Sequence, residues 1–337
     1  MAVKLTIGGE KIALGERKKV FLRVAALYDY TDINIPIEVI RGKADGPTLF
    51  ISAAIHGDEI NGVEIAKRVL KRVKADKLKG TLIIIPIVNV FGFNNLSRYL
   101  PDRRDLNRSF PGSKNGSLAA RLASIFMKEI VVRCTHGIDL HTGAVHRANL
   151  PQIRACLDDP ETKILAKSFG VPVLINSSLR DGSLREAARR KGIPMLLFEG
   201  GEALRFEEDV IKSGVKGCMS VIRSLGMLPK LKAQSDKPAK KVFIANDSSW
   251  VRAPHSGAFV ATKKLGAHVT KGDVLAKISD PFGSEEYDVL AETSGIIIGL
   301  TRIPLVNCGD AMFHIATFSN VKHVKSAIEL YDEGMLL

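Results

Sequence analysis

The chain contains 337 residues, of which 45% are hydrophobic and 25% are charged, a balance that indicates a folded globular protein rather than a disordered one. No apolar run approaches the roughly 18 residues that a membrane-spanning helix needs, and the first residues lack the apolar core of a secretory signal, so we expect a cytoplasmic protein without membrane contacts. The net charge of +13 could attract nucleic acid, but no aromatic residues interleave with the densest basic run, residues 67–74, and we expect a solvated basic surface.

The first 230 residues alternate strand-like and helix-like segments. Residues 48–54 and 81–90 are continuous apolar runs, which is typical of strands that are covered on both faces. Further along the chain, residues 137–141 and 195–199 read as strand ends. Helical patterns are expected at residues 60–74, 117–132, 161–169 and 183–191. Strands that alternate with crossover helices predict an α/β fold with a largely parallel central sheet, in which functional residues collect at strand ends.

Two histidines and a glutamate form the first candidate site. His56 and Glu59 are three residues apart after the first apolar strand, so both can face one ion, and His141 comes from a separate strand. A His, Glu and His ligand set with a fourth position open to water is typical of catalytic zinc. The spacing is common by chance, but Asp139 and His141 share a strand face, which strengthens the interpretation.

Two further features could carry chemistry. The segment from Arg98 to Gly112 contains four arginines and Asn107, and it reads as an irregular loop whose guanidinium groups could bind carboxylates. Glu199 follows the apolar run 193–198 and should be partly desolvated, which suits a group that transfers protons. Each feature taken alone could equally be structural, as a salt-bridged loop or a glutamate at a strand edge.

The composition changes after residue 230. Residues 231–243 are polar, charged and proline-containing, so we predict a linker between a catalytic domain at 1–230 and a β-rich domain at 244–337. Within the last segment, Val251-x-Ala253-x-x-x-Gly257 recurs as Val289-x-Ala291-x-x-x-Gly295, and Val269-x-x-Gly-Asp273 recurs as Val306-x-x-Gly-Asp310. Such a repeat predicts a small pseudo-symmetric β barrel or sandwich.

Four motifs together resemble a known family. Ala54-Ile-His-Gly-Asp-Glu59, Asp105-Leu-Asn-Arg-Ser-Phe-Pro-Gly112, Asp139-Leu-His-Thr-Gly143 and Phe198-Glu-Gly-Gly201 are similar, in the correct order, to those of the succinylglutamate desuccinylase/aspartoacylase family of zinc hydrolases. The resemblance implies a zinc-carboxypeptidase-like α/β/α sandwich with a mixed central sheet. It also implies that the C-terminal domain is a small β-barrel-like, biotinyl- or lipoyl-like unit.

The resemblance also implies a metal site. His56, Glu59 and His141 would be the ligands of one Zn²⁺ per chain. Asp105 would accept a hydrogen bond from the ring of His56, the support that metal-bound histidines usually have.

The substrate-binding and catalytic roles follow from the same resemblance. Asn107 and Arg108 would bind the substrate carboxylate, and Glu199 would act as general base and acid. Arg98 would stabilise the oxyanion, although its longer spacing to Asn107 leaves Arg103 as a competitor for that role.

The expected function is hydrolysis of an amide. We predict a zinc-dependent deacylase that acts on a small N-acyl amino acid or related N-acyl amine, with no nucleic-acid partner. A metallocarboxypeptidase acting on short peptides is the alternative, because the same zinc and Asn-Arg arrangement serves that reaction. A basic binding module that keeps zinc without turnover is a third reading. The acyl group stays open, and so does homo-oligomer formation.

Overall fold

A computed structural model describes residues 5–230 and 242–336. The predicted linker, residues 231–243, lies outside these residues except for its last two positions, and the last of these begins a strand, Phe243–Ala245. Among the described residues, no helix has the length and apolar character that crossing a membrane requires.

Nineteen strands occur in the described part of the chain. Up to residue 230 these are β1 (Leu5–Ile7), β2 (Glu10–Ile12), β3 (Arg17–Ala26), β4 (Asp32–Arg41), β5 (Ala44–Ala53), β6 (Lys79–Ile85), β7 (His136–Gly143), β8 (Arg147–Ala155), β9 (Val173–Asn176) and β10 (Met195–Glu202). After residue 241 they are β11 (Phe243–Ala245), β12 (Asp247–Arg252), β13 (Gly257–Ala261), β14 (His268–Val269), β15 (Val274–Ser279), β16 (Glu286–Leu290), β17 (Gly295–Thr301), β18 (Leu305–Val306) and β19 (Ala311–Thr317).

The helices lie mostly between the strands of the first part. They are α1 (Asn61–Arg72), α2 (Val90–Asn94), α3 (Leu118–Glu129), α4 (Pro160–Phe169), α5 (Leu184–Arg189), α6 (Glu208–Ser224) and α7 (Val321–Leu336). Short 3₁₀ turns cover Ala75–Lys77, Leu106–Arg108 and Val131–Arg133. Four of these helices match the four predicted helical patterns. Three of them, α3, α4 and α5, begin at a side-chain cap; at α3 the Ser117 hydroxyl accepts a hydrogen bond from the Ala120 amide.

One predicted strand was too long. The apolar run 81–90 forms β6 only as far as Ile85, and α2 begins at Val90. Pro86 has no amide hydrogen with which to extend the ladder. Asn89 then caps α2 by accepting a hydrogen bond from the Gly92 amide at 2.9 Å.

A large mixed sheet organises the molecule, as predicted. Its order is β12-β19-β17-β8-β10-β7-β5-β6-β4-β3, with β9 beside β8, β11 beside β9 and β14 beside β17. The centre, β10-β7-β5-β6, is parallel, whereas β3, β4 and β8 pair antiparallel with their neighbours in this order.

Helices cover both faces of this sheet. Along β5, Leu49 and Ile51 pack into one buried cluster with α1, α4 and α6, whereas Phe50 packs into a second cluster with α3 and α5. The alternation follows from the pleat, which turns successive side chains to opposite faces. The uninterrupted apolar character of β5 therefore reflects burial on both sides.

The repeat in the C-terminal segment appears as a pattern of strand pairing. The strands β12 to β15 correspond in order to β16 to β19. Under this correspondence each strand pair has a counterpart: β12–β19 matches β16–β15, β13–β18 matches β17–β14, and β13–β15 matches β17–β19. Their inward residues form a separate hydrophobic cluster that includes Phe259, Ile278 and Phe313.

The C-terminal strands also join the main sheet. Strand β17 pairs antiparallel with β8, with Gly299 opposite Asn149, and β11 pairs parallel with β9. The sheet therefore continues from the first part of the chain into the last without a break in hydrogen bonding. As a result, residues of β12 and β17 lie near the ends of β7 and β10.

Candidate active site

The three predicted metal ligands lie together at the ends of two neighbouring parallel strands. His56 and Glu59 occupy the turn between β5 and α1, and His141 lies near the end of β7. Their candidate ligand atoms are all within 4.8 Å of one another, and all three residues are buried. The sequence placed them after apolar strands, and the parallel pairing of β5 with β7 brings these strand ends side by side.

Glu59 lies between the two histidines. Its Oε1 is 2.7 Å from Nδ1 of His56, and its Oε2 is 2.8 Å from Nδ1 of His141. The amide of Thr142 donates a hydrogen bond to Oε2 at 3.1 Å. Both histidines therefore present the same ring nitrogen, Nδ1, to one shared carboxylate.

The opposite nitrogen of each ring contacts a further carboxylate. Oδ1 of Asp105 is 3.1 Å from Nε2 of His56, and Oδ2 of Asp139 is 2.7 Å from Nε2 of His141. Asp139 is itself held by Ser52, whose hydroxyl donates to Oδ1 at 2.7 Å. The sequence suggested a contact from Asp105 but gave Asp139 no role, although the alternation Asp139-x-His141 already placed the two on one face.

The electrostatics of this cluster suit a cation. Burial disfavours the charged form of Glu59, but His56 and His141 outweigh it and hold the pKa of Glu59 below its ordinary range. Burial likewise opposes protonation of His141, yet Asp139 and Glu59 raise its pKa well above the usual value. Three carboxylates thus surround two imidazoles, a donor set that a divalent ion such as zinc fits.

Arg98 and Arg103 lie in different environments. Arg98 lines the cleft, with Nη2 at 2.9 Å from Asp105 and Nη1 at 3.3 Å from Glu59. Arg103 is exposed and is not among the residues that line the cleft. Of the two arginines that the sequence left in competition, Arg98 is therefore the one beside the candidate ligands.

Asn107 and Arg108 also border the cleft. Asn107 is buried, and its Oδ1 accepts a hydrogen bond from the Leu184 amide at 2.9 Å. This contact assigns the side-chain amide, so Nδ2 remains as the donor available to a ligand. The exposed Arg108 guanidinium donates to the carbonyl oxygen of Asn107 at 2.6 Å.

Glu199 reaches the same cleft from β10, whose register places it opposite His141 of β7. Asn149 donates its Nδ2 hydrogen to Oε2 of Glu199, and Nε of Arg154 is 3.6 Å from Oε1. Sequence motifs pointed to neither partner, because both lie on β8 and meet Glu199 only through sheet pairing.

The rest of the cleft, whose volume is about 280 Å³, is lined largely by cations. Its remaining polar and aromatic lining includes Arg147, Asn149, Arg154, Ser177, Arg180, Arg185 and Trp250. Burial, with a smaller contribution from the charge of Arg154, lowers the pKa of Arg185 to about 10. Trp250, the only tryptophan of the chain, comes from β12 and stacks on His314 at 4.7 Å between ring centroids.

Comparison with known proteins places the chain among amide hydrolases of one family. A family profile described as the succinylglutamate desuccinylase/aspartoacylase catalytic domain matches residues 45–225. The chain is also similar to N-alpha-acetyl-L-2,4-diaminobutyric acid deacetylase of Halomonas elongata, with 28% identity over 294 residues that cover 84% of this chain and 86% of the relative.

Solved structures show the same architecture. A succinylglutamate desuccinylase/aspartoacylase from Rhodobacter sphaeroides superposes with a TM-score of 0.81 at 24% identity, covering 90% of this chain and 96% of the other. The product-bound ectoine utilization protein EutE (DoeB) from Ruegeria pomeroyi superposes with a TM-score of 0.80 at 26% identity, covering 91% and 97%. The likeness therefore covers 90% or more of this chain.

Proposed function

Because the chain belongs to the succinylglutamate desuccinylase/aspartoacylase family, we propose that it is a zinc-dependent amide hydrolase that cleaves an N-acyl amino acid, or a related N-acyl amine, to a carboxylate and a free amine. The observation that carries this proposal is the buried His56, Glu59 and His141 cluster at the floor of an arginine-lined cleft. Glu199 borders the same cleft and supplies a carboxylate that is not part of the cluster.

The metal would be held by Nδ1 of His56, Nδ1 of His141 and the carboxylate of Glu59. Asp105 and Asp139 would keep the two rings in the tautomer that leaves Nδ1 free to bind. Zinc in such a site supplies Lewis acidity, which makes water a stronger nucleophile near neutral pH and polarises a carbonyl group.

Glu199 is the proposed general base and acid. Its carboxylate takes a proton from the attacking water and later delivers that proton to the leaving nitrogen, which departs as the free amine. Its place in the β10 register, opposite His141, supports this role because attack must occur beside the metal ligands. Arg98 is the proposed donor to the oxyanion that forms during attack.

Asn107 and Arg108 are the proposed contacts for the substrate carboxylate. The Nδ2 group of Asn107 and the exposed guanidinium of Arg108 are donors at the cleft, a combination that suits a carboxylate. The similar deacetylase of Halomonas elongata acts, by its name, on an N-acetylated amino acid, which supports a small acylated amino acid as the substrate class here.

We propose that residues 244–337 form the biotinyl- or lipoyl-like barrel that the family resemblance implies, after a catalytic domain at 1–230. The pseudo-symmetric pairing of β12 to β19 supports this reading. The pairing of β17 with β8 makes the two parts share one sheet.

The test is amine release from a panel of N-acetyl and N-succinyl amino acids and short peptides. The enzyme is assayed as purified, after removal of metal with a chelator, and after zinc is added back. Cleavage of acylated amino acids that the chelator abolishes and zinc restores is the expected result. Cleavage of peptides alone would instead assign a carboxypeptidase, and no zinc-dependent cleavage of any compound would contradict the proposal.

A further inference from the structure

The two oxygens of Glu199 have different surroundings. Oε2 accepts a hydrogen bond from Nδ2 of Asn149, a buried residue of β8. The nearest cation to Oε1 is Arg154, whose Nε lies 3.6 Å away, beyond hydrogen-bond distance. One oxygen is therefore anchored, while the other is left available to a group in the cleft.

We propose that Asn149 is a positioning residue that fixes the Glu199 carboxylate, so that Oε1 exchanges the proton while Oε2 stays bound to the Asn149 amide. The inference rests on the proposed function, because it requires Glu199 to be the base. A glutamate base must hold an oxygen within about 3 Å of the proton that it removes. A glutamate without an anchor spreads over several rotamers, and a misplacement of about 1 Å can reduce the rate roughly 100-fold.

A glycine of the C-terminal segment leaves room for the Asn149 side chain to contact Glu199. Gly299 of β17 lies directly opposite Asn149 in the antiparallel register. A Cβ atom at Gly299 would be 2.8 Å from Oδ1 of Asn149, closer than real side chains approach one another. A side chain at this position would therefore displace the Asn149 amide, whereas the backbone angle of Gly299 does not itself require glycine.

The same glycine adjoins Trp250 of β12, which lines the cleft, and His314 of β19. Its added Cβ atom would be 3.3 Å from Cβ of His314 and 3.6 Å from Cη2 of Trp250. The C-terminal strands therefore help to set the position of Asn149, and through Asn149 the position of the proposed base, Glu199. This assigns part of the C-terminal segment to the catalytic apparatus, beyond its contribution to the wall of the cleft.

Four variants test the inference in the full-length, zinc-loaded enzyme. Asn149→Ala removes the amide donor, and Asn149→Asp keeps the shape but replaces the donor with a like charge. Both should lower kcat about 100-fold with KM and zinc content unchanged. Gly299→Ala keeps the donor but displaces it, so kcat should fall to a smaller extent.

Gln152→Leu is the matched control. Gln152 lies opposite Glu199 in the β8–β10 register, but its side-chain amide has no hydrogen-bond partner among the described residues. The near-isosteric leucine should keep kcat within about twofold of the parent enzyme, because it removes a buried amide that makes no hydrogen bond among the described residues. Circular dichroism and the emission of Trp250 report whether each variant retains the parent fold.

The outcomes separate the inference from the proposed function. A parent enzyme that releases no amine from any acylated amino acid would overturn both. An active parent whose Asn149→Asp variant is folded and keeps its kcat would overturn the inference alone. A raised KM with unchanged kcat would make Asn149 a substrate contact instead, and an equal loss in Gln152→Leu would assign the effect to packing of β8. Either of these two results would overturn the inference.

Discussion

Asp139 and His141 lie on the same face of β7, and Oδ2 of Asp139 is 2.7 Å from Nε2 of His141. The same relationship recurs at the other histidine, where Asp105 is 3.1 Å from Nε2 of His56. In both cases the carboxylate leaves Nδ1 directed at Glu59. The proposed zinc site therefore has a matched pair of outer carboxylates, which fix the ring orientation and raise the basicity of the ligands.

Replacing Asp139 with asparagine should weaken zinc binding. The side chain keeps its shape but loses its charge, and loss of such an outer carboxylate typically lowers metal affinity about 10- to 100-fold. Competition with a chromophoric chelator measures the zinc dissociation constant. Ser52→Ala, which removes only the hydroxyl that holds Asp139, is the graded control and should have a smaller effect. An unchanged dissociation constant for Asp139→Asn would contradict the assigned role.

The two competing arginines give a paired prediction. Arg98→Ala should lower kcat by about 10²- to 10³-fold, because losing one oxyanion donor costs roughly 3 to 4 kcal/mol. Arg103→Ala, at an exposed position away from the cleft, should leave kcat close to that of the parent. Steady-state kinetics on the preferred substrate measures both. A larger loss in Arg103→Ala than in Arg98→Ala would reverse the assignment.

Glu199→Gln should separate catalysis from metal binding. The glutamine cannot accept and return the proton, so kcat should fall about 10²- to 10⁴-fold. Zinc content should stay at the parent level, because Glu199 contacts Asn149 and Arg154 and is not one of the three proposed ligands. Glu202→Gln, on the same strand but outside the cleft lining, is the control. Full activity in Glu199→Gln would remove this residue from the mechanism.

His314 should make stability depend on pH. Burial, together with the charge of Arg154, lowers the pKa of His314 to about 3, so the folded protein keeps this ring neutral. In the unfolded chain the pKa is near 6.5, so protons favour unfolding as the pH falls from about 6.5 toward 3. His314→Phe removes the titrating group and with it this dependence of stability on pH. Between pH 7.5 and pH 5, the unfolding free energy of the parent should therefore fall by about 2 kcal/mol more than that of the variant.

Urea unfolding of both proteins across this pH range measures that difference. Groups elsewhere in the protein contribute equally to the two curves and cancel in the comparison. Phenylalanine retains an aromatic ring against Trp250, so the stacking contact is largely conserved. Stability curves that stay parallel from pH 7.5 to pH 5 would show that the His314 ring is not held neutral.

The sequence predicted those parts of the site that depend on local patterns. His56 and Glu59 follow the apolar residues of β5, and His141 ends the apolar core of β7, so a parallel sheet was enough to place them together. The repeat in the C-terminal segment likewise predicted a pseudo-symmetric unit, and the strand pairing there is pseudo-symmetric. In each instance the signal is a periodicity or a strand end that the chain carries locally.

Other parts depend on strand register and were not predictable in this way. Asn149 meets Glu199 only because β8 pairs antiparallel with β10, and Trp250 reaches the cleft only through the order of β12, β19, β17 and β8. Neither residue has a motif around it. The choice between Arg98 and Arg103 also required the path of an irregular loop, which sequence spacing does not specify.

We propose that the His56, Glu59 and His141 cluster binds the zinc on which amide hydrolysis depends. Titrating zinc into metal-free enzyme while following amine release from the preferred acylated amino acid tests this most directly, with His141→Ala measured in parallel. We expect activity to rise linearly and to level off at one zinc per chain, and we expect His141→Ala to remain inactive over the same range. Full activity in the metal-free enzyme, or an unchanged titration in His141→Ala, would contradict the account.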